Sequence, residues 1–480
     1  MKDIIRFGIN ALSNIINGSA NAIFALVLPP LLLHKMSLEE YSLWSYSLQT
    51  GALIGYLNLG VQTAVGRYVA LYIQRREYSG ILKTIKTANN LLYKMFFLGL
   101  LFSGLLSFII NDLIDINASN LKEDAPIIVL IVSLGYAISL LTNSYYGYFI
   151  GVRKNHIPMW LNLISKVVLG ITIIAVASYG LVLMSIVFLS VNMLTVIFSI
   201  IYWHRSLQVN EKEIENSLYE KEKFVRFCLS LAVWNLGMLL VNGMNTSIVG
   251  YFSFRDVAYF TIANGLVMAL IGFLSSGLNP LIQVFTGFHA NHDKYKLANT
   301  VTLITRILAM IMLLSYTAYH LLRDYLLVLW MSPEYSYPVG DFIDLLIIGA
   351  CIRALNIPYA LALIGTENQS KALYGALFEG ISNISLGILF CMTYGVHAIA
   401  YAMVVSSLIA TLYNLVVNIN LTSIDIPLCK SKFFSFEIVC LLLAISTYSI
   451  EPYIAYLITI GVIVYYIYSF RDIIMEFNGK

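Results

Sequence analysis

Charge is what this sequence has least of. Asp, Glu, Lys and Arg make up 11% of its 480 residues while 59% are apolar, against about 25% charged in an ordinary soluble domain. A soluble chain of this length has no way to cover its surface with so few charged groups. The formal net charge of +3 is far below what a nucleic-acid-binding surface needs, so no nucleic-acid partner is expected. Cysteine is also scarce. Cys228, Cys351, Cys391, Cys429 and Cys440 show no paired spacing, which excludes a disulfide-stapled module and predicts free thiols. A phosphate loop of the GxxxxGK[ST] type, an HExxH pair and a CxxC pair are all missing, so neither enzyme chemistry nor a metal or cofactor is expected.

What fills the chain instead is long apolar runs. Fourteen are long enough to cross a hydrocarbon core of about 30 Å as helices: about 9–33, 41–63, 90–111, 125–150, 157–178, 180–203, 226–250, 257–285, 298–320, 342–365, 372–394, 396–419, 433–450 and 452–470. Glu451 and Pro452 leave a very tight turn between the last two, where a re-entrant hairpin is the alternative. Basic residues should collect in cytoplasmic loops, and here they alternate. One set of connections holds Lys2 and Arg6, the Arg67–Lys86 cluster, Arg153 and Lys154, Arg205–Arg226, Lys294 and Lys296, Lys371, Lys430 and Lys432, then Arg471 and Lys480. The opposite set has only Lys35, Lys122, Arg255 and Arg323. This predicts a multi-pass inner-membrane protein with both termini in the cytoplasm. Within the first large connection, ALYIQRREYSGILKTIKTANNLLYK reads either as an amphipathic helix at the membrane surface or as a solvated linker.

The two halves echo each other. IIRFGIN at 4–10 matches FVRFCLS at 224–230, and Asn14 and Asn21 match Asn235 and Asn242 at the same offset. SLEEYSLWSYSLQT at 37–50 aligns with SFRDVAYFTIANGL at 253–266, and both copies then reach glycine, in LGVQ and SGLNP. Six crossings separate the copies, so the repeat is parallel and predicts two related lobes.

The residues that can carry function are the polar ones forced into spans. Lys166 and Arg353 sit near span centres, where a basic side chain costs roughly 2.5–3.5 kcal/mol unless it faces a cavity or a partner. Glu379 can pair with Arg353 or respond to protonation, and Arg67 lies at the inner end of the second span. Lys94 and Arg306 lie close enough to helix ends to reach the headgroups. Asn10, Asn14, Asn17 and Asn21 share one helical face, echoed by Asn235 and Asn242 and extended by Asn58, Gln62, Asn279 and Gln283. Such a face either lines an aqueous cavity or bonds across helices. Pro29, Pro30 and Pro280 are positioned to bend helices. Tyr145, Tyr146 and Tyr148 suit either sugar stacking or an interfacial aromatic belt.

The opening unit has Pro29 late in its first helix, Ser37-Leu38-Glu39-Glu40-Tyr41 at the turn, Trp44 opening the second helix, then Leu59-Gly60 and Arg67. It resembles the start of bacterial polysaccharide flippases of the O-antigen type, in the multidrug/oligosaccharidyl-lipid/polysaccharide exporter superfamily. The likeness covers the first seventy residues as motif and twelve spans as topology. Met36-Ser37 and Ser42 depart from the Leu-Gly-like turn and the following glycine common there. The resemblance implies an all-α membrane bundle with an N-terminal lobe (1–205), a cytoplasmic linker (206–223), a C-terminal lobe (224–420) and an added helix hairpin and tail (421–480). It implies movement of an undecaprenyl-diphosphate-linked oligosaccharide to the periplasmic leaflet by alternating access, with membrane lipids and polysaccharide-assembly proteins as further partners and a monomer as one possible state. On that reading Arg67, Lys166 and Arg353 balance the diphosphate, Asn21 and Asn242 meet the sugar, and Glu379 is a candidate for ion coupling. A multidrug exporter, a lipid II flippase and a membrane oligosaccharide polymerase are the alternatives.

Overall fold

A computed structural model describes residues 24–206, 221–421, 436–448 and 453–464, apart from Arg76, Asn117 and Ala455. All regular structure among them is helical. In chain order the helices are α1 (Phe24–Leu33), α2 (Leu38–Ala52), α3 (Val61–Arg75), α4 (Tyr78–Leu113), α5 (Ser119–Ser139), α6 (Thr142–Gly151), α7 (His156–Val176) and α8 (Leu181–Ser206). There follow α9 (Lys221–Asn242), α10 (Asn245–Phe252), α11 (Asp256–Leu278), α12 (Leu281–Ala290), α13 (Lys294–Trp330), α14 (Pro333–Gly365), α15 (Gln369–Tyr394), α16 (Ile399–Leu421) and α17 (Phe436–Tyr448).

Nine helical segments among the described residues are long and apolar enough to cross a membrane. They correspond to the third to sixth and the eighth to twelfth runs read from the sequence. The expected second span is broken instead, by a 3-10 turn at Leu53–Asn58 that separates α2 from α3. The expected seventh is divided at Gly243 into α9 and α10. Much of the first and parts of the thirteenth and fourteenth lie outside the described residues.

Helix α4 shows how composition becomes placement. Its 36 residues reach about 54 Å at 1.5 Å per residue, well beyond a hydrocarbon core. Phe97, Leu101, Leu105 and Phe108 recur at helical spacing and are exposed, Phe108 by 85%. A stripe of that kind needs lipid against it. The opposite face, Gly99, Ser103, Leu106 and Ile110, is buried, and a Cβ at Gly99 would lie 3.2 Å from Ala137 of α5, the close approach that small residues allow between membrane helices. The amphipathic connection is likewise helical. It forms the end of α3 and the start of α4, where Ile81, Ile85, Ala88 and Leu92 join a buried cluster with Val65, Val69 and Tyr72 of α3.

The echo seen in the sequence recurs in the helix junctions. Helices α4 and α13 have 36 and 37 residues, and Ser119–Gly151 and α14 each span 33. After α6 the chain turns through Arg153 at φ 59°, and after α14 through Glu367 at φ 62°. Lys154 N donates to Phe149 O at 2.8 Å, and Asn368 N to Leu363 O at 2.8 Å, the six-to-one bond of a Schellman cap in both places. Gly180 and Gly395 hold matching positive φ values of 108° and 86° before α8 and α16.

Packing divides the chain into two compact units, Met1–Ser276 with Glu379–Ala402, and Gly277–Phe378 with Met403–Lys480. In the second, Arg323 ties α13 to α14. Its guanidinium lies 2.9 Å from Asp344 and 3.0 Å from Asp341, and Tyr319 donates to Asp344 at 2.8 Å. Arg323, read from sequence as a loop residue, is therefore held inside a helix by carboxylates the sequence does not mark as its partners. Cys228, Cys351 and Cys391 are free and buried, and Cys440 is buried as well.

Candidate functional site

Two adjoining cavities lie wholly within the first unit, of about 550 and 480 Å³. They share Ser139, Thr142, Tyr146 and Asn162 as lining. Both are built from helical faces. From α7 the larger takes Asn162, Ser165, Lys166, Leu169 and Ile173, and from α8 Phe188, Asn192 and Thr195, residues that recur every three or four positions and so lie on one side of each helix. Ser165 and Thr195 hydroxyls meet at 2.6 Å across these two helices. Helix α2 adds Trp44 and Gln49. Trp44 is 1% exposed, stands edge-on to Phe188 with ring centroids 6.3 Å apart, and its indole N–H has no partner among the described residues.

Helix breaks shape the smaller cavity. Between α5 and α6 the bonds tighten, Leu141 N to Ile138 O at 3.0 Å and Asn143 N to Leu140 O at 3.1 Å, and Leu140 and Asn143 of this turn line the cavity. The 3-10 turn after α2 contributes Gly55 and Asn58. Leu59 and Gly60 follow with φ of 52° and 64°, a left-handed pair that only a glycine-containing turn accepts readily. A Cβ at Gly60 would collide with Leu231 of α9. The Asn58 side-chain oxygen accepts from Gly60 N and from Asn235 Nδ2, both at 2.7 Å. Non-helical backbone at membrane depth is tolerated only where it is buried in protein or lines a polar cavity, so the two breaks and the cavity explain each other.

Among the described residues, Lys166 is the only Lys, Arg, Asp or Glu lining either cavity. Without a carboxylate and with several side-chain amides, the lining is suited to anionic or neutral polar groups and unsuited to a desolvated cation. Of the other residues expected from sequence, Arg67 lies on α3 five positions beyond Gln62, roughly 140° around the helix. It is exposed and places its guanidinium 4.6 Å from the ring of Phe227. Arg353 sits in α14 of the second unit, partly buried, and Glu379 in α15 of the first, 7% exposed. None of these three lines the two cavities. Asn21 lies outside the described residues, and so does the side chain of Asn242, the last residue of α9. The sequence reading passed over Gln49, Asn162 and Asn192, although Asn162 and Lys166 are four apart on one helical face. Of the tyrosine trio, Tyr146 faces the cavities, Tyr145 meets Asn89 and Trp203, and Tyr148 joins the buried cluster of α3 and α4.

Membrane-length helices around an internal polar cavity define a polytopic, multi-pass α-helical membrane protein. Its fold is similar to that of solved structures described as members of the MOP superfamily. The structure of "Lipid II flippase MurJ, inward closed conformation" is similar over 98% of this chain and 100% of that one, with a TM-score of 0.69 and 16% identity. An inward-facing multidrug resistance MATE family transporter of the MOP superfamily matches 89% of this chain and 99% of its own, at 0.65 and 16%. A MOP superfamily transporter from Pyrococcus furiosus, whose reversed binding-pocket polarity is said to suggest a different function, matches 88% and 95%, at 0.56 and 14%. No protein-family model and no curated protein matches the chain by sequence. At these identities the likeness is one of fold.

Proposed function

We propose that this protein is a flippase that moves an undecaprenyl-diphosphate-linked oligosaccharide from the cytoplasmic to the periplasmic leaflet of the inner membrane, for surface polysaccharide assembly. The observation that carries the reading is the lining of the two cavities, which among the described residues sets one lysine with amides, hydroxyls and apolar side chains and has no carboxylate. Lys166 supplies the positive charge that a diphosphate needs, the neutral polar groups suit a glycan, and the lipid tail stays in the bilayer. Polar partners throughout the passage spare the headgroup the cost of bare hydrocarbon. The reading assigns the protein no covalent chemistry. Arg353 and Arg67 are retained as secondary phosphate contacts, Asn21 and Asn242 as sugar contacts, and Glu379 as a group for ion coupling. The lobes at 1–205 and 224–420, the linker at 206–223, the hairpin after 421, cytoplasmic termini and contacts with polysaccharide-assembly proteins belong to the same proposal.

A lipid II flippase is the second reading, favoured by the whole-length fold likeness to one. A multidrug exporter of organic cations fits the lining less well, because Lys166 would repel its cargo. Purified protein in liposomes, given lipid II or another undecaprenyl-diphosphate-linked oligosaccharide in the outer leaflet, tests the two flippase readings. Transfer of the oligosaccharide lipid supports the first reading and transfer of lipid II alone the second. Failure to move either, by folded protein, overturns both.

A further inference from the structure

The smaller cavity differs from the larger in its charge. Among the described residues it is lined by five carboxamides, Asn58, Gln62, Asn143, Asn155 and Asn162, and by no charged residue. A carboxamide both donates and accepts, as a sugar hydroxyl does, so amides satisfy a polyhydroxylated ring without a net charge. Part of this capacity is already spent. Asn58 Oδ1 receives Asn235 and Gly60, Asn143 Nδ2 donates to Leu140 O at 2.8 Å, and Asn162 Oδ1 receives the Tyr146 hydroxyl at 3.3 Å. Part is left over: the buried Oδ1 of Asn155 has no partner among the described residues. A buried acceptor left unmatched is costly and calls for a ligand or water. The volume of about 480 Å³ is within the range of small-molecule sites, about 300–1,000 Å³.

We propose that this cavity is a subsite for an uncharged sugar residue, with Asn155 and Asn162 as its recognition groups, and that Tyr146 and Asn162, which line both cavities, join it to the Lys166 compartment. This rests on the flippase reading and adds a restriction to it. A sugar carboxylate placed here would lose its water without gaining a cation, so the unit admitted is neutral even though the headgroup beside it is anionic.

Binding to the full-length protein in nanodiscs tests this, with radiolabelled probes read by scintillation proximity: neutral hexose and N-acetylhexosamine trisaccharides, a uronate-containing trisaccharide, and undecaprenyl diphosphate without sugar. The expected result is saturable binding of a neutral trisaccharide, about tenfold weaker in Asn155→Leu and in Asn162→Leu, on the scale of one lost hydrogen bond, with partial recovery in Asn162→Gln. The uronate probe should bind at least tenfold more weakly than its neutral counterpart. The subsite is overturned if no neutral probe binds, if the uronate probe binds as well, or if the leucine variants, with wild-type melting temperature, bind normally. Lys166-dependent binding of sugar-free undecaprenyl diphosphate alongside such a failure would leave the flippase reading standing. Neutral-sugar binding without any transfer in liposomes would do the reverse.

Discussion

Lys166 is the residue on which the chemistry of the larger cavity turns, since it is the single formal charge in the lining among the described residues. Lys166→Ala should lower glycolipid transfer at least tenfold at unchanged membrane abundance, and Lys166→Glu should abolish it. Transfer in liposomes, normalised to protein by immunoblot, checks both. The position was legible in the sequence because a lone cation among apolar neighbours cannot face lipid cheaply. Asn162 and Asn192 were not, because an amide in a span is satisfied either by a cavity or by a bond across helices, and only the neighbouring helices decide which. Gly60 makes the same point for the backbone. At φ 64° and against Leu231, Gly60→Ala combines a strained conformation with overpacking and should cost about 1–3 kcal/mol, read as a lower melting temperature.

At the scale of elements, the helix breaks matter more than the helices. Asn58 holds the α2–α3 break by accepting two N–H groups. Asn58→Leu should destabilise the protein by about 1–3 kcal/mol, the cost of leaving buried donors unsatisfied, and by more than Asn235→Leu, which leaves the Gly60 bond intact. Thermal denaturation of the two variants gives the order. Helix starts carry smaller terms. Ser37 and Glu40 form a reciprocal cap on α2, Ser37 N donating to Glu40 Oε2 at 2.7 Å and Glu40 N to Ser37 Oγ at 3.2 Å. Ser37→Ala should cost about 0.5–2 kcal/mol. At the start of α13, hydrogen bonds from Lys296 hold the exposed Asp293 carboxyl below the usual carboxylate range. A depressed folded-state pKa stabilises above the unfolded value and is lost as pH falls through the folded one. Asp293→Asn should therefore lower the melting temperature near neutrality and converge with wild type in strong acid. The S-x-x-E spacing at Ser37 fits this cap, although the sequence reading took it only as a turn. The break after α2 was not legible, because 41–63 carries neither charge nor proline and hydropathy does not register a left-handed pair.

For the whole molecule, alternation of basic loops predicts which side each turn faces. In intact cells a cysteine at Lys35 should react with a membrane-impermeant maleimide from outside, and one at Lys154 should react only after permeabilisation. The reverse pattern would invert the topology and with it the direction of transfer. The repeat was half visible in this way. Matching words at 4–10 and 224–230 suggested it, while the matched caps at Arg153 and Glu367 lie where the two sequences share no word.

The sequence by itself determined that this is a many-helix membrane protein, roughly where nine of its long helices lie, and that Lys166 and Arg353 need polar surroundings. Those properties follow from length, hydropathy and charge, which are local. Only the tertiary structure decided that Lys166 faces a cavity with no carboxylate among the described residues, that Arg67 lies over Phe227 away from it, and that Tyr146 and Asn162 join two compartments. Which polar side chains meet is set by how broken helices pack, and no one-dimensional pattern carries that information.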